Sequence, residues 1–344
     1  MIPKRYGEVI AMSLNRVLYF VRRPESEVTP ACFELRHEPF PEPKSGHVLV
    51  QSVYASVDPY MRGRMSEGKS YADPFPLNTP MQGGMVGRVL DRGGTDVAEG
   101  DWVSGVWDWA DRVLVPRQAL RRLDSNIPPT TALHVLGMTG LTAYIGLTKF
   151  GRPAAGETLV VSAAAGAVGS LVGKIGRIFG LTVVGIAGRA DKCQWLTDTV
   201  GLNAALNYRD PDFASRLSSA LSRGVDVYFD NVGGPVTDQV MAHLNPHARV
   251  VICGQIASYN GDPKGLPTRP LFSDLLVSRA EAHGFIIGEH QADFKPALEQ
   301  LAGWYRDGRL VVEETIAEGF DQLMPQLIGL FHGQNRGKAI VKIS

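Results

Sequence analysis

The feature that most constrains the fold is a strand-like apolar run that continues into a turn of alanines and glycines. It covers residues 159–173 and reads Leu-Val-Val-Ser-Ala-Ala-Ala-Gly-Ala-Val-Gly-Ser-Leu-Val-Gly, with Lys174 next. A run of this length is too short to cross a bilayer as a helix. We therefore interpret it as a buried strand, a tight turn and the beginning of a helix, which is how a βαβ unit starts.

The turn fits a dinucleotide-binding pattern. Aligned with G-x-G-x-x-G, it has Ala164, Gly166 and Gly169 at the three glycine positions, so the first glycine is an alanine. Glycines allow the backbone to approach a pyrophosphate, whose charge lies at the helix N-terminus. The strand before and the helix after it are the context that the pattern requires. The alternative is a helix of small residues that packs closely on a sheet and binds nothing.

The residues after the second predicted strand, 182–187, favour NADP over NAD. An acidic side chain is expected there when the cofactor is NAD, because it binds the ribose hydroxyls. The sequence has Gly188 and Arg189 at this point, and Lys192 follows one turn later. Small and cationic residues suit a 2′-phosphate. Asp191 is evidence against this choice, although an acid also stabilises a helix N-terminus.

Two parts of the chain differ in their pattern. Up to about residue 127, short strand-like runs alternate with turns rich in Pro and Gly, which indicates a barrel or sandwich. After Pro128-Pro129, strands alternate with segments of helical length, which indicates a parallel sheet covered on both faces. The predicted strands of this second part are 158–162, 182–187, 225–229, 249–253 and 282–287.

Composition narrows the class of protein. The chain of 344 residues carries 35 basic and 35 acidic side chains, and this balance argues against nucleic-acid and anionic-membrane partners. Cys32, Cys193 and Cys253 are too few and too far apart for a disulfide framework or a Cys-x-x-Cys metal site. The N-terminal residues lack a signal-peptide pattern, so we expect a cytoplasmic protein.

Several motifs resemble one known family, and they occur in its order along the chain. They are Val57-Asp-Pro-Tyr-Met-Arg-Gly63, Ala163–Gly169, Asn207-Tyr208, Asp230-Asn-Val-Gly-Gly234, Ile252–Asn260 and Asn335-Arg-Gly-Lys338. The chain resembles the zinc-independent medium-chain dehydrogenases/reductases, in the branch of prostaglandin and leukotriene reductases, alkenal double-bond reductases and curcumin reductase. The first dozen residues look like an extension outside this resemblance.

The resemblance implies an α/β fold of two domains. A GroES-like β-barrel catalytic domain would cover 1–133 and be completed by 310–344, and a Rossmann domain with a doubly wound parallel sheet would cover 134–309. It also implies an NADPH-dependent enzyme that reduces a carbon–carbon double bond conjugated to a carbonyl in a small-molecule substrate. A homodimer is expected from the family.

The family pattern assigns the cofactor site residue by residue. The pyrophosphate would lie on 166–169, the 2′-phosphate near Lys192 and Tyr208, and the nicotinamide half near 253–259. The cofactor residues implied are Gly166, Ala167, Val168, Gly169, Lys192, Tyr208, Asn231, Cys253, Gly254, Ile256, Ser258, Tyr259, Phe285, Ile286, Ile287 and Asn335. Arg189 is added as a further phosphate ligand because of its charge, not as a family feature.

Tyrosines are the candidates for catalysis. Tyr259 follows a strand end beside the expected cofactor crevice, where its phenol could stabilise enolate charge on a substrate carbonyl oxygen. The alternative is a ring that packs in a loop. Tyr54 and Tyr60 flank the Asp58-Pro59 turn and are candidates for substrate contact, and Tyr54 is taken as the second catalytic residue. The breaker-rich segment 260–270 predicts a mobile loop over the cleft, or a surface connection.

No metal site is expected. A zinc alcohol dehydrogenase of this superfamily needs cysteine and histidine ligands, whereas the corresponding stretches here read Ser56-Val-Asp58 and Met81-Gln-Gly-Gly-Met85. Two rivals to the alkenal or enone reductase remain open. One is a zinc-free quinone reductase of the same architecture, and the other is a non-catalytic NADPH-binding protein, because a fold alone does not secure an activity.

Overall fold

The computed structural model describes residues 14–68, 70–261 and 270–344. The first dozen residues and most of the predicted 260–270 loop therefore lie outside the described part. Among the residues described, no helix is long and apolar enough to cross a membrane.

The first part of the chain is built from antiparallel strands around a buried apolar core. Strand β3 is at its centre and pairs with both β5 and β7. Trp107 and Trp109 are buried in this core and pack against its apolar side chains. The elements are β1 (Asn15–Phe20), β2 (Phe33–Glu38), β3 (His47–Ser56), α1 (Tyr60–Arg64), β4 (Thr79–Pro80), β5 (Gln82–Asp91), β6 (Trp102–Asp108), β7 (Arg112–Pro116) and β8 (Arg121–Arg122).

The end of the chain returns to this first part. Strand β16 (Lys338–Lys342) lies between β15 (Glu314–Glu318), to which it is parallel, and β3, to which it is antiparallel. Ile340 pairs with Ser56 in this register. The C-terminal segment therefore adds two strands to the sheet that carries β3.

The middle of the chain forms a six-stranded parallel sheet. Its strands are β9 (Thr158–Val161), β10 (Thr182–Ala187), β11 (Ala204–Asn207), β12 (Val225–Asp230), β13 (Leu244–Ile252) and β14 (Glu281–Gly284). They lie in the order β11-β10-β9-β12-β13-β14, and every neighbouring pair is parallel. This is the doubly wound Rossmann order, in which a ligand crevice opens where the order reverses, between β9 and β12.

Helices cover both faces of the parallel sheet. One apolar cluster includes Leu171 and Ile175 of α3, and a separate one includes Leu217 of α5 and Val240 of α6. The strands separate these clusters, which explains their continuous apolar sequences and confirms the predicted α/β class. The helices are α2 (Met138–Ile145), α3 (Ala167–Ile178), α4 (Ala190–Asp198), α5 (Phe213–Ala220), α6 (Gly234–Met241), α7 (Leu271–Ser278), α8 (Phe294–Arg306) and α9 (Leu323–Phe331).

Candidate active site

The glycine-rich turn joins β9 to α3 at the point where the strand order reverses. Ala163 has φ +47°, so the left-handed residue of the turn is Ala163 and not Ala164, which the alignment put at the first glycine. A Cβ at Gly169 would lie 2.4 Å from the Ala163 carbonyl oxygen. Gly169 thus allows the first turn of α3 to pack on the loop, and Gly166 precedes the free amides at its N-terminus.

A C-terminal loop lies directly against this turn. The Gly337 amide donates to the Ala165 carbonyl at 2.9 Å, and Gly337 forms a β-bridge with Gly166. Asn335 is held in the same loop, where its Nδ2 donates to the Gly337 carbonyl at 2.8 Å. The structure therefore brings Asn335 beside the glycine-rich turn, although about 170 residues separate them along the chain.

A cationic corner follows the end of β10. Lys192 is 9% exposed, and its Nζ donates to the Gly333 carbonyl at 2.8 Å. Burial, and then the positive charge of Arg189, lower the pKa of this amine. A Cβ at Gly188 would lie 2.8 Å from the ring of Tyr208, so glycine is needed for the ring to sit there. An amine and a phenol beside a small residue are the donor set of a phosphate pocket, and they fit NADP.

Arg189 forms an ion pair at the surface. Its guanidinium binds the Asp191 carboxylate through two hydrogen bonds of 2.9 and 2.7 Å, and both side chains are about half exposed. Asp191 therefore neutralises Arg189 and leaves Lys192 free of a carboxylate bond. Arg209, which sequence reasoning missed, lies 5.6 Å from the ring centroid of Tyr208.

A buried carboxylate organises the end of β12. Asp230 is 1% exposed and accepts hydrogen bonds from the hydroxyls of Ser162, Tyr228 and Thr237 at 2.7–2.9 Å. Ser162 in turn binds Asn231, since its Oγ accepts from the Asn231 amide and its carbonyl accepts from Nδ2, both at 2.8 Å. Asn231 is thereby fixed at the switch point, between the ends of β9 and β12.

The segment after β13 folds back over the same carboxyl edge. The amides of Cys253 and Gly254 donate to the Asp230 carbonyl at 2.8 and 3.2 Å. The Tyr259 hydroxyl accepts from the Gln255 amide at 3.4 Å. Burial raises the pKa of this phenol, and burial together with the Asp230 charge raises the pKa of the Cys253 thiol to about 12. Both groups are therefore neutral at physiological pH.

Two pairs of phenols lie close enough to affect each other's pKa: Tyr71 with Tyr259, and Tyr60 with Tyr71. The loss of surrounding water on burial raises the pKa of Tyr71, and the proximity of Tyr259 and Cys253 raises it further. Burial, the Asp58 charge and the proximity of Tyr71 raise the pKa of Tyr60 far above its usual value. Tyr71 is 61% exposed. Sequence reasoning missed Tyr71, which no motif marks.

Some of the predicted site residues pack against apolar neighbours. The ring of Tyr54 stacks on Trp102 at 6.3 Å between centroids, in a small apolar cluster. Phe285 is buried against Phe150, and Ile287 packs on α2. The predicted residues that the structure brings to the carboxyl edge are Gly166, Ala167, Val168, Gly169, Lys192, Tyr208, Asn231, Cys253, Gly254, Ile256, Ser258, Tyr259 and Asn335.

The architecture defines a class, a medium-chain dehydrogenase/reductase with a nucleotide cleft between a barrel and a Rossmann sheet. Comparisons with known proteins agree. A family model described as the N-terminal domain of oxidoreductase matches residues 16–123, and one described as zinc-binding dehydrogenase matches 167–303. Within the described residues, no group of three or more His, Cys, Asp or Glu side chains is arranged to hold a metal ion.

Individual relatives match almost the whole chain. The NADPH-dependent curcumin reductase of Escherichia coli is 39% identical over 96% of this chain and 97% of its own length. The NADP-dependent 2-alkenal reductase of Nicotiana tabacum is 34% identical over 96% of both chains. CurA of Vibrio vulnificus, solved in complex with NADPH, has a TM-score of 0.91 at 38% identity and covers 96% of this chain and 99% of its own. The chain belongs to the zinc-independent, NADP-dependent alkenal and curcumin reductase branch of the medium-chain dehydrogenase/reductase family.

Proposed function

We propose that this protein reduces the carbon–carbon double bond of 2-alkenals and enones with NADPH. The observation that carries the proposal is the neutral phenol of Tyr259, in a segment that hydrogen bonds to Asp230 and Asn231 hold over the carboxyl edge of the sheet. The names of the curcumin and 2-alkenal reductases support the same reaction class.

Each part of the cofactor has residues suited to hold it. The glycine-rich turn at 166–169 suits the pyrophosphate, and Lys192 with Tyr208 suits the 2′-phosphate. Asn231 and the segment 253–259 border the nicotinamide half, while Asn335 closes the cleft from the C-terminal loop. NADPH, when bound, supplies a hydride for the substrate β-carbon.

Tyr259 is proposed to bind the substrate carbonyl oxygen. Its phenol is neutral at pH 7, because burial raises its pKa, and so it can donate a hydrogen bond to the oxygen where enolate charge develops. A donor already in place stabilises this charge without reorganisation. The α-carbon then takes a proton from Tyr259 or from water. We propose that Tyr60, rather than Tyr54, is the second tyrosine in contact with the substrate.

The test is a turnover assay with two substrate panels. Purified protein and NADPH are mixed with medium-chain 2-alkenals and enones, or with quinones, and loss of the reduced cofactor's absorbance is followed. We expect turnover of the alkenals and enones with saturated carbonyl products. Turnover of quinones alone would identify a quinone reductase, and tight NADPH binding with no turnover on either panel would identify a non-catalytic binding protein.

We also propose that the protein works as a cytoplasmic homodimer without nucleic-acid or membrane partners. The three cysteines are free, which suits a reducing compartment, and the net formal charge is zero. Helix α7 comes just before β14 in the chain. Both the outer edge of β14 and several apolar side chains of α7 are exposed. Such an edge is a template for pairing with a second sheet.

A further inference from the structure

Arg62 is a buried arginine on α1, in the wall of the cleft formed by the first part of the chain. Its residue is 5% exposed. The guanidinium donates hydrogen bonds from Nε to Asn260 Oδ1 at 3.2 Å, from Nη1 to Ser66 Oγ at 2.6 Å, and from Nη2 to the Ser26 carbonyl at 2.7 Å. One side chain thus joins three segments of the chain, and one of these, at Asn260, follows strand β13 of the Rossmann sheet.

A cation is a costly way to fill this position. Burial disfavours the charged guanidinium and lowers the pKa of Arg62, and all three of its acceptors are neutral groups. An apolar side chain would pack here without a desolvation cost. What arginine provides in return is a rigid planar fork of donors, which can fix several acceptors in one geometry.

The bond to Asn260 crosses the cleft between the two tyrosine-bearing segments. Asn260 follows Tyr259 directly, and Arg62 lies two residues after Tyr60. We propose that Arg62 is a positioning residue, whose hydrogen bond to Asn260 holds the Tyr259 segment against α1 and sets the separation of the two phenols. The proposal rests on the proposed function, because the phenols matter only if both contact one substrate.

A substitution of Asn260 tests the proposal more directly than a substitution of Arg62. Asn260→Ala removes the cross-cleft bond and leaves the buried guanidinium with its other partners. We expect kcat for an enone to fall about ten- to a hundredfold through misplacement of the phenol. The KM for NADPH should stay within about twofold, since the cofactor's phosphates bind elsewhere. Asn260→Asp keeps an acceptor oxygen for Nε, and we expect it to restore most of kcat.

Ser66→Ala is the matched control, because it removes another bond of the same guanidinium but leaves the cross-cleft bond. We expect its kcat to remain near that of the unmodified protein. The proposal is overturned if Asn260→Ala keeps full kcat, if Asn260→Asp is as slow as the alanine variant, or if Ser66→Ala is slowed equally.

Amide hydrogen exchange tests the same bond without turnover, so failure of the proposed function does not leave it undecided. In Asn260→Ala, residues 253–259 should exchange faster than in the unmodified protein, with the buried strand 225–230 as an internal reference. Unchanged exchange in 253–259 overturns the proposal. If the protein turns over no enone but Asn260→Ala shows this faster exchange, the positioning role of Arg62 is supported and only the proposed reaction is contradicted.

Discussion

Lys192 differs from the other cations around it, because its amine is buried and its hydrogen bond goes to a carbonyl rather than to a carboxylate. An ammonium that meets a phosphate forms a charge-assisted bond worth about 1.5–3 kcal/mol. We therefore expect Lys192→Ala to raise the Kd for NADPH about ten- to a hundredfold and to leave the Kd for NADH nearly unchanged. Titration of nicotinamide fluorescence with each cofactor measures both constants.

Arg189→Ala is the matched control for this prediction. Arg189 already binds Asp191 through two hydrogen bonds on the surface, so its loss should weaken NADPH binding much less than the loss of Lys192. Equal losses of affinity for NADPH and NADH in Lys192→Ala would remove the phosphate role. A larger effect from Arg189→Ala would assign that role to the guanidinium instead.

The proposed role of Tyr259 predicts both the kcat of a variant and the dependence of kcat on pH. Tyr259→Phe removes one oxyanion donor, and we expect kcat to fall about a hundredfold while the Kd for NADPH changes little. The phenol donates only while protonated. Its pKa is raised above the usual value of about 10. The phenol therefore stays protonated as the pH rises towards about 10, and it loses its proton only above the raised pKa.

Steady-state kinetics between about pH 6 and pH 9.5 should therefore show no alkaline loss of kcat that arises from this phenol. Tyr54→Phe serves as the comparison, since Tyr54 packs on Trp102 and should tolerate the change. A rate that Tyr259→Phe does not alter would make Tyr259 a packing residue. A large loss of kcat in Tyr54→Phe would support the catalytic role that the sequence predicts for Tyr54.

At the scale of the elements, the sequence predicts the centre of the Rossmann sheet better than its edges. Strands β9, β10 and β12 are continuous apolar runs, because helices cover both of their faces. Strand β11 escaped prediction, since Ala-Ala-Leu-Asn at the sheet edge has neither a long apolar run nor strong strand propensity. Strand β14 ends at Gly284, three residues before the end of the predicted strand 282–287, and the next residue, Phe285, is buried.

The candidate site divides in the same way. The glycine-rich turn is a local motif, so its place between strand and helix can be read from neighbouring residues. Lys338 and Asp58 show what local patterns miss. They form a buried ion pair at 3.0 Å across 280 residues, and so join the segment after the C-terminal loop to the turn before Tyr60. Neither this pairing nor the proximity of Tyr71 to Tyr259 follows from spacing, because tertiary packing creates both.

At the scale of the whole molecule, one region of the Rossmann sheet is unusually exposed. Strand β14 pairs with β13 on one side, and in the described residues nothing pairs with its other edge. Helix α7, just before it in the chain, has Phe272, Leu276 and Val277 exposed by 86%, 78% and 76%. Large exposed apolar side chains and an open strand edge are each typical of an interface between subunits.

We expect a second copy of the chain to cover this surface, because joining two identical edges about a twofold axis would satisfy both at once and close the assembly. We expect the unmodified protein to have about twice the chain mass of 37.3 kDa in solution. The double variant Phe272→Glu, Leu276→Lys should give the single-chain mass, because charges would then be buried without partners at the interface. Size-exclusion chromatography with light scattering measures both, with Val311→Glu, at an apolar residue 58% exposed elsewhere, as the control. A monomeric unmodified protein would contradict the dimer, whereas a double variant that remains dimeric would move the interface to another face.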